Sequence, residues 1–225
     1  MNADKEHPED KEHPDEDHRR SVMTDQELEI KLHLINLSSI QDRLNVLGAS
    51  LSKPRVKEIN IRFDTSDGAL TRAFKVLRLR QDASAHLTYK GPGQDVGGVR
   101  KRQEIEFKVD NFDAARSFLE ALGYQVNMVY EKYRTTFEMD QVLVTLDELP
   151  FGLFAEIEGP DAECIRAAAD QLCVDWDKRV LDSYVVIFER LRGILGFTFR
   201  DLTFENFKEI NVSLEVLGIL PAMVG

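Results

Sequence analysis

The sequence predicts an α+β protein built on an eight-stranded antiparallel β-barrel with helices packed outside it. Three observations predict this fold. Segments that alternate apolar with charged residues recur along the chain, as strands with two different faces require. Capped helical segments lie between them. The order of acidic strand, capped helix and Leu-Gly stop occurs twice, at 27–48 and 104–123, which indicates two similar halves.

Composition limits the classes of protein to which the chain can belong. Its 225 residues, 43% of them hydrophobic, are enough for one substantial core. The net charge of -11 argues against a nucleic-acid or anionic-membrane partner. Apolar stretches are too short to span a bilayer, and the amino terminus lacks the pattern of a secretion signal. Cys164 and Cys173 have no metal-binding spacing. We therefore expect a cytoplasmic protein with reduced thiols.

The chain divides into three regions by composition. Residues 1–24 are polar and repeat Asp-Lys-Glu-His-Pro, so we expect this tail to be disordered. Residues 25–195 alternate strands with helices and are predicted to form the folded domain. Residues 196–225 are apolar but irregular, and the sequence assigns them no function. They are interpreted as a packing or an oligomerisation segment, so the sequence leaves open whether the protein forms a homodimer.

Strands and helices follow from periodicity and from turn and capping residues. Strands are predicted at 27–32, 56–64, 74–81, 85–90, 104–108, 129–138, 142–148 and 154–159. Ser38 and Gln41 form a capping box for a first helix, and Asp110 or Asn111 caps a second one. Further helices are predicted at 161–172 and 183–195. The glycine-rich run 91–98 is predicted to be a flexible connection.

Several strands carry two like charges two positions apart, and these pairs therefore share one face of each strand. The pairs are Glu27 with Glu29, Arg78 with Arg80, Glu104 with Glu106, Lys132 with Arg134, and Glu156 with Glu158. Like charges repel, so the fold needs oppositely charged strands, bound metal or a bound polyanion beside them. The plain alternative is a solvated outer surface.

The apolar residues between these charges argue against that alternative, because they must face a core. They are Leu28, Ile30, Leu77, Leu79, Ile105, Phe107 and Ile157. Helices outside the barrel can provide that core, which would turn the charges toward the lumen. Glutamates suit Mg²⁺ or Mn²⁺, and arginines suit phosphate oxygens. The sequence therefore predicts a metal-bound polyphosphate as the ligand.

The order of these residues resembles the CYTH superfamily, also called the triphosphate tunnel metalloenzymes, over about 26–192. This superfamily includes class IV adenylyl cyclases, thiamine triphosphatases and inorganic triphosphatases. The motifs that carry the resemblance are Glu27-x-Glu29-x-Lys31, Arg78-x-Arg80, Lys90 in Thr-Tyr-Lys-Gly-Pro, Arg102-x-Glu104-x-Glu106, Lys132-x-Arg134, and Asp147 followed by Glu156-x-Glu158. The first motif alone is common on strands, whereas the ordered set is specific.

The resemblance implies a role for each of these residues. Triphosphate oxygens would be bound by Lys31, Arg78, Arg80, Lys90, Arg102, Lys132 and Arg134. The metal would be held by Glu27, Glu29, Glu156 and Glu158, supplemented by Asp147, Glu104 and Glu106. A salt-bridge role is the rival for each carboxylate, and above all for Glu104 and Glu106. The residues implied in catalysis are Lys31, Arg78, Arg80 and Glu29.

Three functions follow from this resemblance. The favoured one is metal-dependent hydrolysis of a triphosphate such as tripolyphosphate, ATP or thiamine triphosphate. The alternative is class IV adenylyl cyclase activity, which converts ATP to cyclic AMP and pyrophosphate. A non-catalytic polyphosphate or nucleotide sensor is the third hypothesis. The same lumen residues would serve all three.

Overall fold

The computed structural model describes residues 26–223, so the tail predicted at 1–24 lies outside the described residues. Within these described residues the structure has ten strands and five α-helices. The strands are β1 (Gln26–Leu34), β2 (Ser50–Asp64), β3 (Val76–Gln81), β4 (Ala85–Lys90), β5 (Gln94–Val96), β6 (Val99–Val109), β7 (Gln125–Met139), β8 (Val142–Leu149), β9 (Gly152–Glu158) and β10 (Arg179–Val180). The helices are α1 (Ser38–Val46), α2 (Ala69–Arg72), α3 (Phe112–Ala121), α4 (Ala162–Gln171) and α5 (Tyr184–Leu195).

Eight of the strands form a closed antiparallel ring in the order β1-β9-β8-β7-β2-β3-β4-β6. The ring closes because Gln26–Glu29 of β1 pair with 100–103 of β6. The predicted α+β fold with eight ringed strands and outer helices is therefore confirmed. The two remaining strands are short additions, β5 beside β6 and β10 beside β1.

The predicted flexible connection at 91–98 is wrong in its second half. Gln94–Val96 pair with Val99–Lys101, and the chain reverses at Gly97 and Gly98. Both glycines have positive φ, 65° and 82°, a conformation that a side chain disfavours. The glycines therefore build a hairpin turn.

Helix capping agrees with the prediction at α3 and differs at α1. The Asn111 side chain accepts a hydrogen bond from the Ala114 amide, as a cap does. The predicted capping box of Ser38 and Gln41 is wrong, because Ser38 already belongs to α1. Asn36, two residues earlier, accepts from the Ser39 amide and from the hydroxyls of Ser38 and Ser39.

Two layers of helices cover the outside of the ring in part. Helices α1 and α4 cover a core that includes the fully buried Ile30, Leu32 and Ile157. Helix α3 covers a second core outside β2, β3 and β4. The prediction that Ile105 and Phe107 face a core is wrong, since they are 43% and 54% exposed. The outer face of β6 carries both residues, and no helix buries them there.

A third core joins α5 to the residues that follow it. Its aromatic members include Phe151, Phe154, Phe188 and Phe207. Leu202 binds β7 through backbone hydrogen bonds to Val129 and Glu131, on an edge that β8 leaves unpaired. The carboxyl-terminal residues thus complete the wall of the ring. Among the helices of 26–223, none has the length and apolarity of a bilayer-spanning helix.

Replacing Phe188 by alanine tests how much this third core stabilises the fold. Phe188 is fully buried, so Phe188→Ala is expected to lower the free energy of unfolding by about 3–5 kcal/mol. Val186→Ala is the matched control on the same helix, because Val186 is 42% exposed and its truncation should cost under about 1 kcal/mol. Chemical denaturation measures both, and equal effects would contradict the assignment of this core.

Candidate functional site

Strand alternation turns the predicted charges toward the inside of the ring. On β1, Leu28, Ile30 and Leu32 pack outward, while Glu27, Glu29 and Lys31 face inward. A cavity of about 380 Å³ lies inside, within the roughly 300–1,000 Å³ usual for small-molecule sites. We call this cavity the ionic lumen. Its walls include Glu27, Glu29, Lys31, Arg78, Arg80, Lys90, Arg102, Glu104, Glu106, Lys132, Arg134, Glu156 and Glu158.

The structure therefore brings together thirteen of the fourteen predicted site residues along one cavity. The remaining one, Asp147, is fully buried directly behind the wall, where it contacts Lys132 and Arg134. The roles implied for these residues stay predictions, but their convergence is a property of the fold.

The carboxylates of β1 are held by cations from three strands. Glu27 accepts hydrogen bonds from Lys90 Nζ at 2.8 Å and from Arg102 Nε at 2.6 Å. Glu29 lies 2.7 Å from Lys31 Nζ and 3.2 Å from Arg102 Nη2. Burial alone would raise the pKa of Glu27, but Lys90 and Arg102 outweigh burial and hold the pKa well below its usual range.

Asp147 is the centre of a second cluster. It accepts hydrogen bonds from Lys132 Nζ at 3.0 Å, from Arg134 Nε at 2.7 Å and from the Tyr184 hydroxyl at 2.9 Å. Arg134 also binds Glu156. Burial would lower the pKa of Arg134, yet the charges of Asp147 and Glu156 raise it well above its usual value. The Asp147 carboxylate thus holds the two β7 cations, Lys132 and Arg134, at the lumen wall.

The arginines of β3 converge on one glutamate of β6. Glu106 accepts from Arg78 Nη2 at 3.2 Å, from Arg80 Nη2 at 2.9 Å and from the Thr88 hydroxyl at 2.7 Å. The forked donors of the two arginines bind the Glu106 carboxylate, which partly neutralises their positive charge within the wall. The salt-bridge role that the sequence left open for Glu106 is thus the one that the structure displays.

Sequence reasoning missed a polar row on β2. Glu58, Asn60 and Arg62 alternate along its inner face, with Glu58 and Asn60 buried. Glu58 lies 3.6 Å from Lys132 Nζ and 3.7 Å from Arg80 Nη1. Burial raises the pKa of Glu58, but Lys132 and the lumen arginines lower it to about 2. The alternation of polar residues at 58, 60 and 62 is the signal that could have found this row.

Glu158 differs from the other lumen carboxylates, because no cation of the described chain lies within ion-pair distance of it. It faces Glu29 directly across the β1–β9 ladder. Partial desolvation by the surrounding lumen wall and the charges of Glu27 and Glu29 raise the pKa of Glu158 to about 7. The side chain is also exposed to solvent, which screens part of this effect.

This crowding of carboxylates fits a hard divalent cation. Mg²⁺ and Mn²⁺ prefer oxygen ligands, and a cation would relieve the repulsion among Glu27, Glu29 and Glu158. Within 26–223, no three acidic, histidine or cysteine side chains already stand at coordinating distance. The ion pairs of Glu27 and Glu29 with lysine and arginine account for this, since cations occupy their oxygens.

Aromatic and apolar side chains fill one end of the ring. The inward rows of the strands change there from charged to apolar, at Phe154, Leu149, Tyr130 and Met128. Residues 183–185, at the start of α5, line the lumen beside them. The Tyr184 ring lies 5.5 Å from both Lys31 Nζ and Lys132 Nζ. The hydroxyl of Tyr184 belongs to the Asp147 cluster.

A closed antiparallel ring with cations and carboxylates interleaved along its inner face defines a class of protein with a charged tunnel. The chain belongs to the CYTH domain family, whose model matches residues 25–181. The family that the sequence resembles is therefore confirmed.

Three relatives illustrate the similarity. A Methanocaldococcus jannaschii protein provisionally named adenylate cyclase is 28% identical over 134 residues, which are 59% of this chain and 75% of the relative. A Vibrio parahaemolyticus structure with the same provisional name is 26% identical, with a TM-score of 0.65 over 72% of this chain and 97% of that chain. A Hippeastrum protein, described as having a dominant triphosphatase activity, shares the fold at 20% identity and a TM-score of 0.57, over 73% of this chain and 95% of that one.

Asp147→Asn tests the second cluster. The change leaves Lys132 and Arg134 without their buried counter-charge, so the free energy of unfolding should fall by about 3–5 kcal/mol. Asp140→Asn is the control, because Asp140 is exposed in a turn at φ 53°, which asparagine tolerates. Urea denaturation of both variants measures the difference, and an unchanged Asp147→Asn protein would contradict the cluster's structural role.

Glu158→Gln tests the pH dependence of stability. The pKa of Glu158 in the folded state, about 7, lies above the ordinary value of 4.5. Between these two pH values the folded protein therefore binds the proton more tightly than the unfolded chain does. The stability that this group contributes is present below about pH 4.5 and is lost as the pH rises through 7. The melting temperature of Glu158→Gln minus that of the wild type should therefore be larger at pH 8 than at pH 5.

Thermal unfolding without divalent cations measures this shift, with the exposed Glu138→Gln as control. A difference between Glu158→Gln and wild type that stays constant across the pH range would contradict the raised pKa.

Proposed function

We propose that this chain is a metal-dependent enzyme that hydrolyses a phosphoanhydride bond of an inorganic or organic triphosphate. The observation that carries the proposal is the ionic lumen, where seven predicted cations from five strands face a carboxylate cluster. A triphosphate with its metal presents the complementary charges in the same order, anionic oxygens toward the arginines and a cation toward the glutamates.

The cations of the lumen would bind the phosphate chain by exchanging partners. Lys31, Arg78, Lys90 and Lys132 each contact a carboxylate of the wall. A phosphate oxygen offers the same charge and acceptor geometry as a carboxylate oxygen. Binding would thus transfer hydrogen bonds from the wall to the ligand, while Glu27, Glu29 and Glu156 are released toward a metal.

Mg²⁺ or Mn²⁺ would be held by Glu27, Glu29, Glu156 and Glu158, with Asp147, Glu104 and Glu106 in supporting places. When bound, the metal neutralises phosphate charge and orients the attacking water. The residues of the chain then hold the phosphate chain in line and stabilise the charge on the transferring group. Lys31, Arg78 and Arg80 would do so from β1 and β3.

Cyclisation of ATP is the alternative, and the names of the Methanocaldococcus and Vibrio relatives favour it. In that reaction the ribose 3′-hydroxyl attacks the α-phosphorus and pyrophosphate leaves. Cyclisation requires the ribose to be held against the phosphate chain, while hydrolysis requires only the phosphate and metal contacts of the lumen. The described triphosphatase activity of the Hippeastrum protein agrees with hydrolysis on this fold. We therefore favour hydrolysis.

A product assay decides between the two reactions. Purified protein is incubated with Mg²⁺ or Mn²⁺ and with tripolyphosphate, ATP or thiamine triphosphate. Hydrolysis releases orthophosphate, and this is the expected result. Cyclic AMP with pyrophosphate would identify the cyclase instead. Ligand binding without either product would favour the sensor.

Glu29→Gln tests the dependence on metal. The change removes a carboxylate from the cluster while keeping its shape, so metal-dependent turnover should fall roughly 100-fold or more. Chelation of the divalent cation should abolish turnover of the wild type. Glu163→Gln, at an exposed position on the outer helix α4, is the control and should keep full activity. Equal rates for wild type and Glu29→Gln would refute the metal role of Glu29.

A further inference from the structure

Arg62 on β2 differs from the lumen cations that the sequence predicted. Every lumen cation that the sequence predicted lies within 4.0 Å of a carboxylate oxygen. Arg62 lines the same cavity and is half-buried, yet within residues 26–223 it has neither an ion pair nor a hydrogen bond from its guanidinium. Its charge therefore has no ion-pair partner among the described residues of the wall.

The surroundings of Arg62 make this charge costly. Arg78 faces it across the β2–β3 ladder, and Met128 faces it across the β2–β7 ladder. Burial lowers the pKa of Arg62; the nearby Tyr130 and Asp64 oppose this effect, and the positive charges of Arg102 and Arg78 add to it. Asp64 is near but is occupied, because it accepts from the amides of Thr65, Leu70 and Thr71.

A second observation concerns the buried polar atoms of the same wall, several of which have no hydrogen-bond partner. Of seven buried side-chain polar atoms without a hydrogen-bond partner among the described residues, six belong to β2, β3 and β4. They are Glu58 Oε2, Asn60 Nδ2 and Oδ1, Arg78 Nε, Arg80 Nε and His86 Nδ1. The Asn60 side chain is fully buried on the inner face of its strand. A buried polar group without a hydrogen-bond partner costs about 1–3 kcal/mol, and a ligand that pairs with these groups would offset that cost.

Most of the free groups on this wall are donors. Asn60 Nδ2, Arg78 Nε, Arg80 Nε and the Arg62 guanidinium can all donate, and an oxyanion accepts from several donors at once. The positive charge of Arg62 favours the same kind of ligand.

We propose that Arg62, supported by Asn60, binds a phosphoryl oxygen of the triphosphate and so makes β2 part of the substrate site. This inference rests on the proposed function and adds residues that none of the lumen motifs contains. Arg62 contacts the phosphate chain itself, which inorganic and organic triphosphates share, and leaves the organic substituent to other parts of the lumen.

The inference predicts an unusual combination of effects for Arg62→Gln. Removing a cation that lacks an ion-pair partner in the described chain relieves repulsion with Arg78 and Arg102, so the ligand-free protein should melt at the same temperature as wild type or higher. Loss of one charge-assisted hydrogen bond should weaken triphosphate binding about 10- to 100-fold. A residue with a merely structural role would show the opposite pattern.

The experiment measures melting temperature and affinity for bismethylene triphosphate, whose P–C–P links resist hydrolysis, in the presence of Mg²⁺. Four proteins are compared: wild type, Arg62→Gln, Arg62→Lys, which keeps the charge, and Arg55→Gln. Arg55 lies on the same strand but outside the ring, 52% exposed and paired with Glu148, so its variant should bind like wild type.

Weakened binding in Arg62→Gln with an undiminished melting temperature, and partial recovery in Arg62→Lys, is the expected result. Equal affinity of Arg62→Gln and wild type would overturn the inference while leaving the proposed function intact. So would weaker binding accompanied by a melting temperature several degrees lower, since Arg62 would then support the fold only. A wild-type protein that binds no triphosphate analogue would overturn the proposed function and this inference together.

Discussion

The period of two along each strand is the constraint on which the rest of the structure depends. Helices and loops cover much of the outer face of the ring, so that face takes Ile30, Leu32 and Ile157. The alternate residues of the same strands must then point inward, and in β1 and β9 they are charged. Cations and carboxylates therefore meet inside the ring, where each buried charge requires a partner.

In the lumen, the wall carboxylates take the places that the oxygens of the proposed triphosphate would take. The wall carboxylates occupy the donors of Lys90, Arg102 and Arg134 in the way that phosphate oxygens would. Glu158 and Arg62 both line the lumen without an opposite charge at ion-pair distance in the described chain. One of them needs a cation and the other an anion. This pairing pattern is one of the features that support the proposal of a metal-bound triphosphate as the ligand.

Much of the fold and the site could be predicted because like-charged pairs reveal strand faces. The pairs at Glu27 and Arg78 fix which side of each strand is polar, and their outer neighbours fix the core. The row on β2 escaped notice because Glu58, Asn60 and Arg62 mix acidic, neutral and basic side chains, so no pair of like charges signals a lumen face.

The other differences between the sequence prediction and the structure concern features that depend on tertiary packing. Exposure of Ile105 and Phe107 is decided by where the helices lie, which strand alternation does not specify. The cap of α1 moved to Asn36 because its side chain can reach the Ser39 amide from outside the helix. The extra pairing of Gln94–Val96 was hidden because glycines favour a flexible loop and a tight hairpin turn alike.

Residues beyond the matched family domain take part in the geometry of the site. The match covers 25–181, whereas Tyr184, which donates to Asp147, lies on α5. Helix α5 is in turn held by the aromatic core, and that core includes Leu202 and Phe207 of the carboxyl-terminal residues. Because Asp147 fixes Lys132 and Arg134, packing outside the family domain is transmitted to two lumen cations through one hydroxyl. This aromatic core also fills one end of the ring, so Tyr184 lies at the point of the ionic lumen where charged walls give way to aromatic ones.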